Sequence, residues 1–238
     1  MGFDLSQGLS SYDLRADYSY NTTWEFTTPS TTLAYRIASK QFIGYGRAFF
    51  IEAREAFNVG FVDSATIGNT VERLKRNHLT NMDAVLGTSI LLSRCLKLTM
   101  RPVAGFEYHY LKQTVQGNKT DSALAEYTLR FWGPLAGIGF GMNPTKRLSL
   151  SSRFAFHFPR AHHRVDLGVK SKLNIKRHGL SFLLSSAYCV KENVTWSLDL
   201  EYRGLATYGY GNPEGTSTEY GFAHLSQASI TSGLQFSF

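Results

Sequence analysis

The last eleven residues, Ala228 to Phe238, alternate apolar side chains with small or polar ones and stop on an aromatic. Successive side chains of a strand point to opposite faces, so Ile230, Leu234, Phe236 and Phe238 share one side. Ser229, Thr231, Gln235 and Ser237 share the other. The last strand of a soluble β-sandwich has this pattern, and so does a wall strand of a barrel in lipid, apolar outward and polar inward. No stretch of the chain approaches the roughly 18 consecutive apolar residues of a transmembrane helix. A membrane reading is therefore a barrel reading, because a chain in lipid has to satisfy every backbone group internally.

The rest of the chain favours the barrel. Alternating segments are expected over 10–26, 33–51, a third stretch carrying Phe57, Val59 and Phe61, then 81–92, 96–110, 123–142, 148–158, 167–190, 194–203 and the closing strand. The clearest sets Leu98, Met100, Ala104, Phe106 and Tyr108 against Thr99, Arg101, Val103, Gly105 and Glu107. Turns are expected at 27–32, 94–95, 143–146 and 191–193. Polar loops are expected at 65–80, where a short helix through Val71 and Leu74 is the competing reading, and at 117–121, 159–166 and 211–216. Gly133-Pro134 suggests a bulge, and a change of face is expected near His178-Gly179. Short and long connections alternate, as periplasmic turns and extracellular loops do. The expected fold is all-β, a transmembrane antiparallel up-and-down β-barrel of about ten strands, with residues 1–238 as one domain.

Seventeen Phe and 13 Tyr suit aromatic girdles at two membrane interfaces. The Met1-Gly2-Phe3-Asp4 start lacks a basic and apolar leader, so export implies a signal peptide that is missing from this sequence and a non-native Met-Gly start. The net charge of +7 comes without any basic run inside a recognisable nucleic-acid motif. Acidic lipid or lipopolysaccharide, and no nucleic acid, is the expected partner. Cys95 and Cys189 have no metal-type spacing and read as two unpaired thiols, with a disulfide between distant hairpins as the alternative. No cofactor or metal is expected, and the chain is expected to be a monomer. The terminal Phe238 resembles the signal that the barrel-insertion machinery reads in bacterial outer-membrane proteins.

Several stretches resemble the omptin family, ten-stranded outer-membrane proteases. They are Gly68-Asn69-Thr70-Val71, the segment Val103 to Tyr110, and the closing stretch Gly221 to Phe238. The resemblance implies an acidic pair in the second outer loop and an Asp-x-His in the fourth, together activating a water. The first motif falls on Glu72-Arg73-Leu74, where Leu replaces the second carboxylate, and the second on Ala161-His162-His163, where Ala replaces the Asp. An imidazole without its orienting carboxylate has no fixed tautomer and is a poorer general base. Asp166 serves instead only if its loop folds back, so Glu72, His163 and Asp166 are the catalytic candidates of a divergent endopeptidase.

The inward set expected from alternation is Asp13, Arg15, Asp17, Arg101, Glu107, His109, Glu126, Arg130, Arg153, His157, Asp199, Glu201 and Arg203. Such long side chains largely fill a barrel only slightly wider than the eight-stranded kind, which argues against a wide diffusion porin and leaves a narrow ion-scale path open. The outer loops are basic, and Arg160, Arg164, Lys170 and Lys172 are the candidates for lipopolysaccharide phosphates, a ligand that the omptin resemblance also implies. Three functions follow: a non-proteolytic surface-binding or structural barrel, a divergent omptin-like endopeptidase, and a narrow channel.

Overall fold

The computed structural model describes the backbone of residues 2–18, 22–38, 42–44, 47–60, 64–67, 70–116, 123–158, 160–166, 170–211 and 219–237. Side chains are described for 2–10, 37, 49–57, 79–112, 114, 128–158, 160, 178–205 and 225–237. The strands are β1 (Gly2–Tyr18), β2 (Thr22–Ala38), β3 (Phe42–Gly44), β4 (Arg47–Gly60), β5 (Ser64–Ile67), β6 (Thr70–Ser93) and β7 (Leu98–Gln116). They continue as β8 (Ala123–Met142), β9 (Leu148–His157), β10 (Arg160–Asp166), β11 (Lys170–Lys191), β12 (Val194–Gly211) and β13 (Glu219–Ser237). All pairings are antiparallel, and β1 pairs with β13 on one side and β2 on the other, so the sheet closes on itself.

Three of these elements continue a neighbour. Leu135↔His157 and Trp132↔Arg160 keep one register across Gly133-Pro134, which makes β9 and β10 a single wall strand. In the same way Val59↔His78 and Ser64↔Arg73 keep one register along β6, joining β4 to β5. With β3 extending β2, the described residues form a ring of ten strands, β1, β2, β4, β6, β7, β8, β9, β11, β12 and β13. Both termini lie at one end, with the turns 94–97 and 192–193 and the connection 143–147. Connections at the other end reach six and seven residues, 117–122 and 212–218, which makes the terminal end periplasmic.

Burial is inverted relative to a soluble protein. Leu9, Leu86, Phe106, Phe156, Leu200 and Ile230 are all exposed on the outer face, Leu9 to 66%. Their inward neighbours Ser10, Val85, Glu107, His157, Asp199 and Thr231 are buried. Water would not tolerate so continuous an apolar wall, and lipid requires it. Gly8 allows the seam to close: a Cβ there would lie 1.9 Å from the Ile230 carbonyl oxygen of β13.

Several expectations need correcting. The turn expected at 27–32 lies inside β2, and the chain reverses between Tyr18 and Thr22 instead. A three-residue connection keeps even-numbered positions in phase on both sides, so alternation runs through the reversal unmarked. Residues 70–80, expected as loop, are strand in β6, and 160–166 are strand in β10. Gly133-Pro134 carries no register shift, and the one along the β11–β12 pairing falls at Cys189/Lys191 rather than at 178–179. Phe158 N–H bonds the Pro134 carbonyl at 3.0 Å, so the proline, which has no N–H to donate, still accepts from the adjoining strand. Both cysteines are free.

Candidate functional site

Inward side chains stack through the lumen in layers. Nearest the outward end, Leu79, Leu111, Leu129, Phe131, Leu205 and Leu225 come from β6, β7, β8, β12 and β13 and are buried to 4% exposure or less. Below them lies a cross-lumen network of charge. Arg54 on β4 donates to Glu201 on β12, which also accepts from Arg203 at 2.9 Å. Arg153 on β9 reaches Asp83 at 3.3 Å and Glu52 at 3.4 Å. Asn81 donates to Gln227 at 2.8 Å. Apart from Arg203–Glu201, which lies within β12, these bonds cross the lumen between strands that are not neighbours in the ring. Lower still, Val85, Val103 and Leu135 pack with Phe50.

The tightest part of the network centres on Glu107, which has no exposure. Its Oε2 accepts from His109 Nε2 at 2.6 Å and from His157 Nδ1 at 2.6 Å. With His157 Nδ1–H so engaged, Nε2 accepts from the Ser181 hydroxyl at 2.7 Å. His109 Nδ1 is 2.7 Å from Asn81 Oδ1, and its ring meets Phe131 edge-on at 5.9 Å. Arg203 Nη1 lies 3.0 Å from both ring nitrogens of His109. A point equidistant from both cannot lie in the ring plane without touching carbon, so the guanidinium rests over the ring face, a stacking contact.

Ser181, His157 and Glu107 thus have the connectivity of a nucleophile, its base and an orienting carboxylate. Acyl transfer needs in addition a space for a carbonyl about 3 Å from the hydroxyl, with donors for the oxyanion. Ser181 lines none of the four cavities at Ile37–Tyr108, Phe50–Ser185, Arg54–Arg203 and Lys97–Gln235, and the apolar layer lies between it and the outward end. The relay satisfies buried polar groups and ties β7, β9 and β11 together. Glu107, His109 and His157 are legible as inward residues in the sequence, whereas Ser181 and Asn81 carry no signal beyond strand parity.

The inward set needs one correction, since Arg130 points outward over the Tyr110 ring at 5.4 Å and is exposed. Arg54, Asp83 and Glu52 were missing from it. The side chains of Asp13, Arg15, Asp17 and Glu126 lie outside the described residues.

Glu72 is opposite Ala65 in β6, and His163 is opposite Leu129 and Leu173 in β10. Strands β7 and β8 separate them, roughly 14 Å sideways at the usual strand spacing, and the register Leu79↔Leu111↔Leu129↔His163 sets Glu72 roughly 23 Å further along its strand. Asp166 pairs with Glu126 and Lys170, and because the segment is strand it does not fold back as a loop. Arg164 pairs with Lys172. Of the named site residues only Arg160 has a described side chain, which is exposed beside Trp132 in register. The side chains of Glu72, His163, Arg164, Asp166, Lys170 and Lys172 lie outside the described residues.

A closed antiparallel ring, apolar outside and charged within, with its termini at the short-turn end, defines a bacterial outer-membrane β-barrel. Residues 25–208 match the family model described as Protochlamydia outer membrane protein, Pom, and the chain belongs to that family. Among solved structures it is similar to the outer membrane protease OmpT from Escherichia coli, with a TM-score of 0.69 at 12% identity over 100% of this chain and 96% of that one. The translocator domain of the autotransporter NalP from Neisseria meningitidis aligns at 12% identity and a TM-score of 0.41, covering 100% and 89%. The outer membrane protein OprG from Pseudomonas aeruginosa aligns at 12% and 0.39, covering 100% and 96%. No curated protein matches the sequence. The omptin resemblance is therefore one of fold.

Proposed function

We propose that the chain is a closed, non-proteolytic outer-membrane barrel that acts through its surface, as a binding or structural protein, with its outward end against lipopolysaccharide. The observation that carries this is the filled lumen, in which an apolar layer with Phe131 and Leu111 at 0% exposure overlies a paired charge network. An ion would lose its hydration in the first layer and meet fixed pairs in the second. For the ligand, support comes from the outer face of β7, β8 and β10, where exposed Arg130 and Arg160 stand with Tyr108, Tyr110 and Trp132. Guanidinium groups among interfacial aromatics suit phosphate at a headgroup boundary. Arg164, Lys170 and Lys172 extend the basic stretch along β10 and β11.

The test combines planar-bilayer conductance with lipopolysaccharide binding. Expected are no single-channel steps, and weaker binding in an Arg160→Ala, Arg164→Ala, Lys172→Ala variant. Regular conductance steps would replace this reading with the channel, and unchanged binding would remove the ligand. The endopeptidase alternative, with Glu72, His163 and Asp166, predicts cleavage of quenched fluorescent peptides that His163→Ala abolishes.

A further inference from the structure

The periplasmic end carries a second polar concavity, unrelated to the lipopolysaccharide reading. A cavity of about 420 Å3 opens there, lined by the turn residues Lys97, Asn143 and Lys146 and by Ser149, Thr195 and Gln235 of the lumen wall. Its rim is the 94–97 turn, the 143–147 connection and the 192–193 turn, at three consecutive hairpins of the ring. Arg94, Lys97, Lys146, Arg147 and Lys191 stand on or beside these, against Glu192 of the rim and the buried Asp4, which pairs in register with Gln235.

The rim is built rather than loose. Thr145 Oγ1 accepts from the Arg147 and Leu148 amides at 3.2 and 3.0 Å, and Cys189 N–H bonds the Arg147 carbonyl at 2.8 Å. Lys97 is held at φ 48°, in the left-handed region where glycine is the easy choice, so a lysine there is kept at some conformational cost. Next inward, the Arg101 guanidinium lies against Gly141, and its Nε is buried without a hydrogen-bond partner among the described residues.

We propose that this vestibule binds a phosphate-bearing ligand. Like charges around a concave, low-dielectric mouth concentrate anions. Ammonium, amide and hydroxyl donors set around a cavity suit an ion with oxygens in several directions better than a planar carboxylate. The volume is that of a small-ligand pocket. The phosphate belongs either to a soluble ester or to a phospholipid headgroup of the adjoining leaflet.

The test uses the full chain refolded in a non-ionic detergent, titrated calorimetrically with inorganic phosphate and pyrophosphate, and in parallel reconstituted in nanodiscs with and without phosphatidylglycerol. Expected is saturable binding that weakens with salt and falls at least tenfold in a Lys97→Gln, Lys146→Gln variant, with Arg160→Gln at the opposite end unaffected. Thr195→Val, which removes a donor without changing charge, gives a smaller loss and separates a built site from general basicity. Binding of the soluble anions assigns a soluble ester, and binding of phosphatidylglycerol alone assigns a headgroup. No saturable binding by either, or equal binding by the double variant with folding verified by heat-modifiable migration, overturns the proposal.

Discussion

Replacing Glu107 tests whether the lumenal network is a lock. Glu107→Ala removes the acceptor of two imidazole N–H groups, His109 Nε2 and His157 Nδ1, both at 2.6 Å in a site without exposure. Each donor left buried and unpaired costs about 1–3 kcal/mol, so the pair costs about 2–6 kcal/mol. The expected loss is therefore about 2–6 kcal/mol. Glu107→Gln keeps an acceptor oxygen and gives up the charge assistance, so it should cost about 1–2 kcal/mol. The assay is urea unfolding of the refolded barrel in detergent, followed by tryptophan fluorescence and by heat-modifiable gel migration. A loss below about 1 kcal/mol for Glu107→Ala, or equal losses for Ala and Gln, would refute the reasoning, because the histidines would then have other acceptors.

Other outcomes follow from single positions. Gly8→Ala drives a Cβ into the Ile230 carbonyl at 1.9 Å, so the β1–β13 seam should fail to close, whereas Gly204→Ala, whose nearest contact is the Tyr202 hydroxyl at 3.5 Å, should fold normally; heat-modifiable migration compares them. Phe131→Ala hollows the apolar layer and should cost about 3–5 kcal/mol in urea unfolding. It should still leave no bilayer conductance, since the charge network below is untouched. Arg130→Ala loses a cation–π contact on an exposed face, worth about 0.5–1 kcal/mol. Deleting Phe238 should lower the amount of barrel assembled in cells, measured on outer-membrane fractions, while refolding in detergent stays unchanged.

Legibility in the sequence followed burial. Where a strand has lipid on one side and lumen on the other, as around Met100 to His109 or Trp196 to Arg203, alternation gives both faces correctly, and Glu107, His109, His157 and Arg203 are read as inward. At the outward end polar and charged residues occupy successive positions, so the alternation fades in the sequence. There the polar run of 70–80 and the basic run of 160–166 read as loops although both are strand. The reversal between Tyr18 and Thr22 is invisible for a different reason, because an odd connection preserves phase. Arg130 was assigned to the wrong face through the blurred start of its strand, where Leu129 and Phe131 are the buried neighbours. Partners across the lumen are beyond any periodicity: nothing in sequence ties Arg54 to Glu201, 147 positions away.

The same geometry explains why charge and apolar bulk coexist in one lumen. A ten-strand ring is only slightly wider than one whose side chains just fill it, so inward residues must either meet across the axis or leave voids. Long charged side chains span that distance, and each needs a partner when buried, as Arg54 has in Glu201 and Arg153 in Asp83. Leucines and one phenylalanine fill the layer above and screen those pairs from the water beyond. On the proposed reading of a closed lumen, a ligand would meet only the two ends and the outer wall. The proposed surfaces are then the cationic, aromatic face around Arg130 and Arg160 and the periplasmic vestibule of Lys97 and Lys146. Stability and surface recognition are then separable, and exchanging rim lysines should leave the urea midpoint unchanged while altering anion binding.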